Sequence, residues 1–84
     1  MNELTPEELR SILARASAAT PGPWQSFVEG RDHSAGSSFI RTGADDIEMS
    51  GASVADQDFI ANARQDVPRL VAEVARLRGI KVDG

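Results

Sequence analysis

The 84-residue chain has no cysteine and no tyrosine, and it contains only one histidine and one tryptophan. Disulfides are therefore excluded, and His33 alone supplies too few imidazole ligands for a structural zinc site. A small domain without either device has little surplus stability, because it buries only a modest share of its surface. We expect one domain, residues 1–84, that gains stability by forming a homo-oligomer.

The sequence also lacks a long apolar run and a basic segment followed by an apolar one. A membrane span and a signal peptide are therefore not expected, and cytoplasmic residence is the default expectation. The net charge is −4. Because such a chain repels phosphate backbones, nucleic acid is not an expected partner.

Local signals predict a first helix within residues 1–20. Thr5 is placed to cap it, Pro6 occupies the first helical position, and Glu8 completes a Thr-x-x-Glu capping box. Apolar residues then recur at helical spacing: Leu9, Ile12, Leu13 and Ala16. The helix is expected to end before Pro21, because the residue preceding a proline is pushed out of the helical conformation.

A proline-rich corner opens the middle segment, residues 21–52. Pro21 and Pro23 restrict the backbone there, so that Trp24 enters its site at a set angle. The ring then either anchors the core or offers a stacking platform for a base or sugar. The anchor is favoured, because large rings are mostly buried in small domains.

Three strand-forming segments follow, at residues 24–29, 38–42 and 46–50. Turn residues at 42–45 predict that the second and third strands form a hairpin. The polar, glycine-bearing stretch 30–37 has no periodicity and is expected to be a mobile loop.

Residues 53–79 are predicted to form a helix pair. Ser53 can cap the first helix with Asp56 three residues later, and Pro68 is expected to cause a break or sharp kink near residues 65–67, where a second helix starts. Gly79 is the natural C-terminal cap, and residues 80–84 form a tail. The apolar residues of this region that we expect to form the oligomer interface are Phe59, Ile60, Leu70, Val71, Val74 and Leu77. The predicted fold class is α+β, in the order α-β-β-β-α-α, with a small antiparallel sheet of two or three strands.

Two blocks of the sequence resemble a known group. They are Ala19-Thr20-Pro21-Gly22-Pro23-Trp24 and the block from Ala55 to Leu77, which contains Asp58-Phe59-Ile60-Ala61 and Asp66-Val67-Pro68. Together they are similar to the Ead/Ea22-like accessory proteins of phages and actinobacteria, whereas the strands between them carry no resemblance. The resemblance implies a phage or prophage setting, in which small non-enzymatic proteins bind a host factor or take up a signal. It transfers no activity to any residue.

Catalytic and metal-binding patterns are weak. Asp32 and His33 are adjacent in the sequence, and no nucleophile is linked to them, so we expect no enzyme and no cofactor. Asp45, Asp46 and Glu48 carry oxygen ligands suited to a hard cation. They lack the spacing of a calcium loop, and strand alternation explains them as a solvated face, so no metal is expected.

Two functions remain open. In the first, the protein binds a host macromolecule through its strands and loop. In the second, it sequesters a small anionic ligand, such as a nucleotide, at the helix N-terminus that Ser53 caps. The residues assigned to that ligand site are Trp24, Arg31, Arg41, Ser53 and Arg64. Convergence of the three arginines on one concave site favours the second function, and their separation favours the first.

Overall fold

The computed structural model describes residues 3–81 of the chain. Along the sequence lie α1 (Pro6–Ala18), β1 (Gln25–Phe27), β2 (Phe39–Arg41), β3 (Ile47–Glu48) and α2 (Val54–Arg78). The α+β class is confirmed, and the sheet has three strands. Expectations for residues 1–2 and 82–84 lie outside the described residues.

The chain divides into two compact units. One contains α1 and the part of α2 from Asp66 onward, and the other consists of residues 20–65. The boundary between them therefore lies within α2, between Gln65 and Asp66.

α1 begins as its sequence predicts. The Thr5 hydroxyl accepts a hydrogen bond from the backbone N–H of Glu8, and the Glu8 carboxylate accepts one from the N–H of Thr5. These two bonds satisfy donors that a helix start leaves free. The predicted apolar face is also confirmed, since Leu9 is buried and Ile12, Leu13 and Ala16 are half-buried.

The sheet is antiparallel, in the order β1-β2-β3. Ser26 lies opposite Ile40, and Ile40 lies opposite Ile47, so these three residues share one face. That face is the buried one at its centre, because Ile40 is 0% exposed. The strands are shorter than predicted, but their locations and the β2–β3 hairpin are confirmed.

The hairpin turn is closed by Thr42. Its hydroxyl donates to the Asp45 carbonyl and accepts from the backbone N–H of Ala44. Gly43 donates its N–H to the Pro21 carbonyl at 2.7 Å, and a Cβ on Gly43 would lie 2.6 Å from that same oxygen. Only glycine therefore fits here without a shift, because of close approach to the proline-rich corner.

A buried glutamine ties α2 to the sheet. Gln57 is 2% exposed, and its amide Nε2 donates to the carbonyls of Phe27 in β1 and Phe39 in β2, at 3.1 and 3.0 Å. Both carbonyls are thereby satisfied at the point where β1 and β2 stop pairing. Ala61, one turn along α2, is buried in the same unit.

The predicted break at Pro68 is wrong, because α2 is one helix that contains Pro68 in its interior. Proline removes one backbone hydrogen bond, to the carbonyl four residues earlier. The helix nevertheless buries residues on each side of Pro68, Gln57 and Ala61 before it and Val71 and Ala75 after it. Packing of this kind overrides a local helix-breaking preference.

Both ends of α2 are capped as predicted. Ser53 and Asp56 exchange side-chain-to-backbone hydrogen bonds at the N-terminus. At the C-terminus Gly79 adopts φ 66°. The N–H of Gly79 donates to the Arg76 carbonyl and that of Ile80 to the Ala75 carbonyl, which is the Schellman arrangement.

Candidate binding surfaces of the sheet and of α2

The face of the sheet opposite Ile40 carries two phenylalanines. Phe27 and Phe39 are direct cross-strand partners, and their rings stack with centroids 5.1 Å apart and an interplanar angle of 11°. Successive strand residues point to opposite faces, so both rings point away from the buried Ile40. Both remain half-exposed.

A cation and a second ring system flank this pair. The Arg41 guanidinium carbon lies 4.7 Å from the Phe27 centroid and 5.9 Å from that of Phe39. The His33 ring lies 5.6 Å from the Phe39 ring. We call Phe27, His33, Phe39 and Arg41 the aromatic face. It exposes apolar ring surface and one cation over a ring, a combination suited to contact with protein side chains.

A cavity of about 260 Å³ opens beside the aromatic face. Its lining residues are His33, Ala35, Gly36, Ser37, Phe39, Asp46 and Glu48. The Asp46 and Glu48 carboxylates in this lining oppose a bound anion. None of the three arginines assigned to the ligand site lines the cavity, although Arg41 Nε lies 4.0 Å from the Asp46 carboxylate. Within residues 3–81 no group of three or more acidic or histidine side chains is arranged to hold a metal ion.

Arg31 is fully engaged by carboxylates. Its guanidinium makes two hydrogen bonds to Asp58 of α2, at 2.8 and 3.0 Å, and two to the neighbouring Asp32. These bonds lower the pKa values of Asp32 and Asp58 and raise the pKa of Arg31. The pairs are exposed, so their effect on stability is small.

Asp32 also orders the start of the polar loop. The Asp32 carboxylate accepts a hydrogen bond from the N–H of Val28 at 2.8 Å, and the Val28 carbonyl accepts from the N–H groups of Arg31 and Asp32. Gly30 donates to the His33 carbonyl. Residues 28–33 therefore form a hydrogen-bonded turn that Arg31 links to α2, and the mobility expected for residues 30–37 stays a prediction.

Arg64 and Trp24 donate hydrogen bonds to the backbone beside the proline-rich corner. Arg64 Nε and the Trp24 indole N–H both donate to the Thr20 carbonyl at 2.9 Å. The Gln65 amide accepts from the backbone N–H of Trp24 and donates to the Trp24 carbonyl. Trp24 is half-buried and held at three points, so the corner uses it as an anchor.

The three arginines assigned to the ligand site each have a different partner. Arg31 bonds to carboxylates, Arg41 lies over phenylalanine rings and Arg64 bonds to a backbone carbonyl. At the start of α2 the Ser53 cap is paired with the Asp56 carboxylate, whose charge opposes a bound anion.

The residues assigned to the oligomer interface fall into two groups. Phe59, Leu70 and Leu77 are 74, 62 and 68% exposed, Ile60 is also exposed, and Val74 is half-buried. Val71 is 5% exposed, so its assignment is corrected: it belongs to the core of the chain. A surface depression lies beside Leu70, between Asp66, Arg69 and Glu73.

Gln57 and Gln65 make structural hydrogen bonds that the sequence did not indicate. Glutamine is mostly exposed in proteins, and neither residue stands in a recognisable motif. Their partners lie 18 to 41 residues away in the sequence. Helical spacing does not pair them either, because residues eight positions apart on α2 lie about 80° apart around the helix.

No helix in residues 3–81 is long and apolar enough to cross a membrane. Neither a protein family nor a curated protein nor a solved structure matches the chain.

Proposed function

We propose that this chain is a non-enzymatic binding protein of the phage accessory type, which self-associates and engages a host protein through its aromatic face. The observation that carries the proposal is the stacked, half-exposed pair Phe27 and Phe39 with Arg41 across it. Aromatic rings and arginine are the side chains that contribute most to binding at protein interfaces.

The charge of the chain supports a protein partner over a nucleic acid. A net charge of −4 opposes a polyphosphate backbone, and carboxylates of Asp46 and Glu48 stand next to the aromatic face. A protein surface with apolar side chains and mixed charge has no such barrier.

The sequestration of a small anion is the second candidate, and the separate engagement of Arg31, Arg41 and Arg64 weighs against it. Native mass spectrometry of the protein purified from producing cells, compared with denatured protein, distinguishes the two functions. A retained small molecule of defined mass supports sequestration and overturns the proposal.

Partner binding is tested with surface variants. Arg41→Glu and Phe39→Ser alter the aromatic face, and Val54→Ser is the control because it removes an exposed apolar side chain of α2 that belongs to neither assigned surface. Each variant is first shown to keep the circular dichroism spectrum of the native chain. A host protein captured by the native chain is then purified, and its dissociation constant is measured with each variant.

We expect Arg41→Glu and Phe39→Ser to weaken that binding roughly tenfold or more, in keeping with the loss of an interface anchor. Val54→Ser should bind as the native chain does. Equal binding by all three variants would show that the partner does not use the aromatic face.

A further inference from the structure

A regular row of apolar side chains follows the exposed side of α2, in the part of the helix from Asp66 onward. Val67, Leu70, Val74 and Leu77 are spaced three, four and three residues apart, and we call them the outer row. Leu70 and Leu77 are mostly exposed, and Val67 and Val74 are half-buried. In the sequence the same spacing begins earlier, at Ile60 and Ala63.

The outer row is distinct from the face that α2 buries within the chain. Val71 and Ala75, the buried residues of this segment, each follow an outer-row residue by one position. One position is about 100° of helix rotation. The helix thus has two neighbouring apolar faces, and the chain covers one of them.

The spacing and the residue types match those of a two-stranded coiled coil. In heptad terms Val67 and Val74 occupy a positions, and Leu70 and Leu77 occupy d positions. β-branched residues at a with leucine at d favour two parallel strands. This pattern identifies a second helix with the same repeat as the natural partner of the outer row.

Charges beside the outer row favour a second copy in the parallel direction. Asp66 and Glu73 occupy g positions, and Arg78 occupies the e position five residues after Glu73. In a parallel pair Glu73 of one copy faces Arg78 of the other, twice by symmetry. In an antiparallel pair the g positions face each other, which places Asp66 against Glu73.

The existing contacts of these charges leave room for such pairing. Glu73 pairs with Arg76 on the same helix, and both side chains are more than half exposed. Exposed pairs of this kind are weak and exchange partners readily. Arg78 donates to the Leu4 carbonyl through Nη1, and its Nη2 lies 4.0 Å from the carboxylate of Glu3, a 91% exposed side chain. The guanidinium has further donors, and so long an exposed ion pair is weak.

We propose that two copies of this chain pair through the outer row of α2, side by side and in the same direction, with Glu73 of each copy opposite Arg78 of the other. This inference rests on the self-association in the proposed function, and it adds the surface, the number of copies and their direction. The pair would cover the apolar face that one copy leaves in water.

The chain has no cysteine, so one introduced thiol can test whether the two helices run parallel or antiparallel. Leu77→Cys places one thiol at a d position, where two parallel copies bring the thiols together and an antiparallel pair separates them. Ala72→Cys is the matched control, because residue 72 is exposed at the f position away from the outer row. Oxidation at low protein concentration should crosslink the first variant and leave the second as single chains.

Light scattering during size-exclusion chromatography tests the number of copies. The native chain should give twice its 9.0 kDa mass. Leu70→Glu with Leu77→Glu should weaken the pairing roughly a hundredfold or more, because it buries charge in the contact. Val54→Glu, an exposed apolar position of α2 outside the row, should leave the mass unchanged.

Reversing the charge of residue 73 has opposite effects on the strength of association in a parallel and in an antiparallel pair. In a parallel pair Glu73→Arg should weaken association by roughly two- to tenfold, and adding Arg78→Glu to the same chain should restore it. In an antiparallel pair Glu73→Arg strengthens association, because the new arginine faces Asp66. Strengthening would overturn the parallel arrangement.

The outcomes separate this inference from the rest of the proposed function. A monomeric native chain overturns both the pairing and self-association, while partner binding is judged by the aromatic-face variants alone. A native oligomer that survives Leu70→Glu with Leu77→Glu, and that Leu77→Cys does not crosslink, overturns the outer-row contact and leaves self-association standing.

Discussion

At the scale of single residues, the fold depends on contacts that join positions far apart in the sequence. Gly43 meets the Pro21 carbonyl, Gln57 meets two strand carbonyls, and Gln65 holds the backbone of Trp24. Each is a polar contact between α2 or a turn and another segment. Losing the Gln57 or Gln65 amide leaves backbone groups without their partner, whereas a side chain at position 43 would crowd the Pro21 carbonyl.

Gly43→Ala should destabilise the chain by about 1–3 kcal/mol, a cost typical of an extra methyl group in a filled space. The added Cβ would lie 2.6 Å from the Pro21 oxygen, whose backbone has no flexible end to move aside. Urea unfolding measures the effect. Ala44→Ser in the same turn is the control and should stay within about 0.5 kcal/mol of the native chain. An equally stable Gly43→Ala would contradict the close approach.

Gln57→Met keeps the length of the side chain and removes its amide. The Phe27 and Phe39 carbonyls then lose their donor, and the free energy of unfolding should fall by about 1–3 kcal/mol. Gln25→Met, at an exposed position of β1, is the matched control with a small expected effect. If both variants unfold at the same urea concentration, Gln57 is not the link between α2 and the sheet.

At the scale of helices and strands, the sequence located most of the fold because its signals are local. Capping boxes at Thr5 and Ser53, the turn at residues 42–45 and the glycine cap at Gly79 all act within a few residues. Pro68 is the exception. A local rule predicts a break or kink there, but α2 is one helix, because the residues it buries outweigh the loss of one backbone bond.

The candidate site was less predictable than the helices and strands. The arginines were recognised as potential ligands, but their partners are set by the fold: Asp58 for Arg31, two phenylalanine rings for Arg41 and Thr20 for Arg64. The stacking of Phe27 on Phe39 depends on strand register, which the short strands do not specify by themselves.

Pro68→Ala should stabilise the chain by about 1–3 kcal/mol, because alanine restores a backbone hydrogen bond inside α2 and has the higher helix propensity. Arg69→Ala is the neighbouring control, since it alters an exposed side chain and no backbone bond. Thermal and urea unfolding measure both variants. A lower stability for Pro68→Ala would mean that packing of the half-buried ring outweighs the missing bond.

The Arg31 cluster predicts a pH dependence. The pKa values of Asp32 and Asp58 are lower in the folded chain than in the unfolded chain, where an aspartate titrates near about 3.9. The stability from these pairs is therefore present above that pH and is lost as the pH falls through the folded pKa values.

Arg31→Gln should raise both aspartate pKa values toward the ordinary one, as carboxyl NMR titration would show. It should also reduce the loss of stability on acidification. Arg15→Gln, whose guanidinium bonds to the Ser11 hydroxyl, should leave both values unchanged. Unaltered aspartate titration in Arg31→Gln would rule out the cluster as the cause.

At the scale of the whole molecule, few apolar residues are buried within residues 3–81: Leu9, Val28, Ile40, Ala61, Val71 and Ala75. If pairing contributes to stability, the thermal unfolding midpoint should rise with protein concentration, by mass action. The Leu70→Glu, Leu77→Glu chain should lose that dependence, and Val54→Glu should keep it. A midpoint that is constant for the native chain would show that folding does not draw on a second copy.

The Gln65 amide also has a consequence for how the chain behaves in a crowded solution. Trp24 immediately precedes β1, an edge strand, and Gln65 bonds to both its N–H and its carbonyl, so these two groups are not free to pair with a strand of another molecule. One side chain thereby limits the backbone that is open to edge-to-edge aggregation at this end of the sheet.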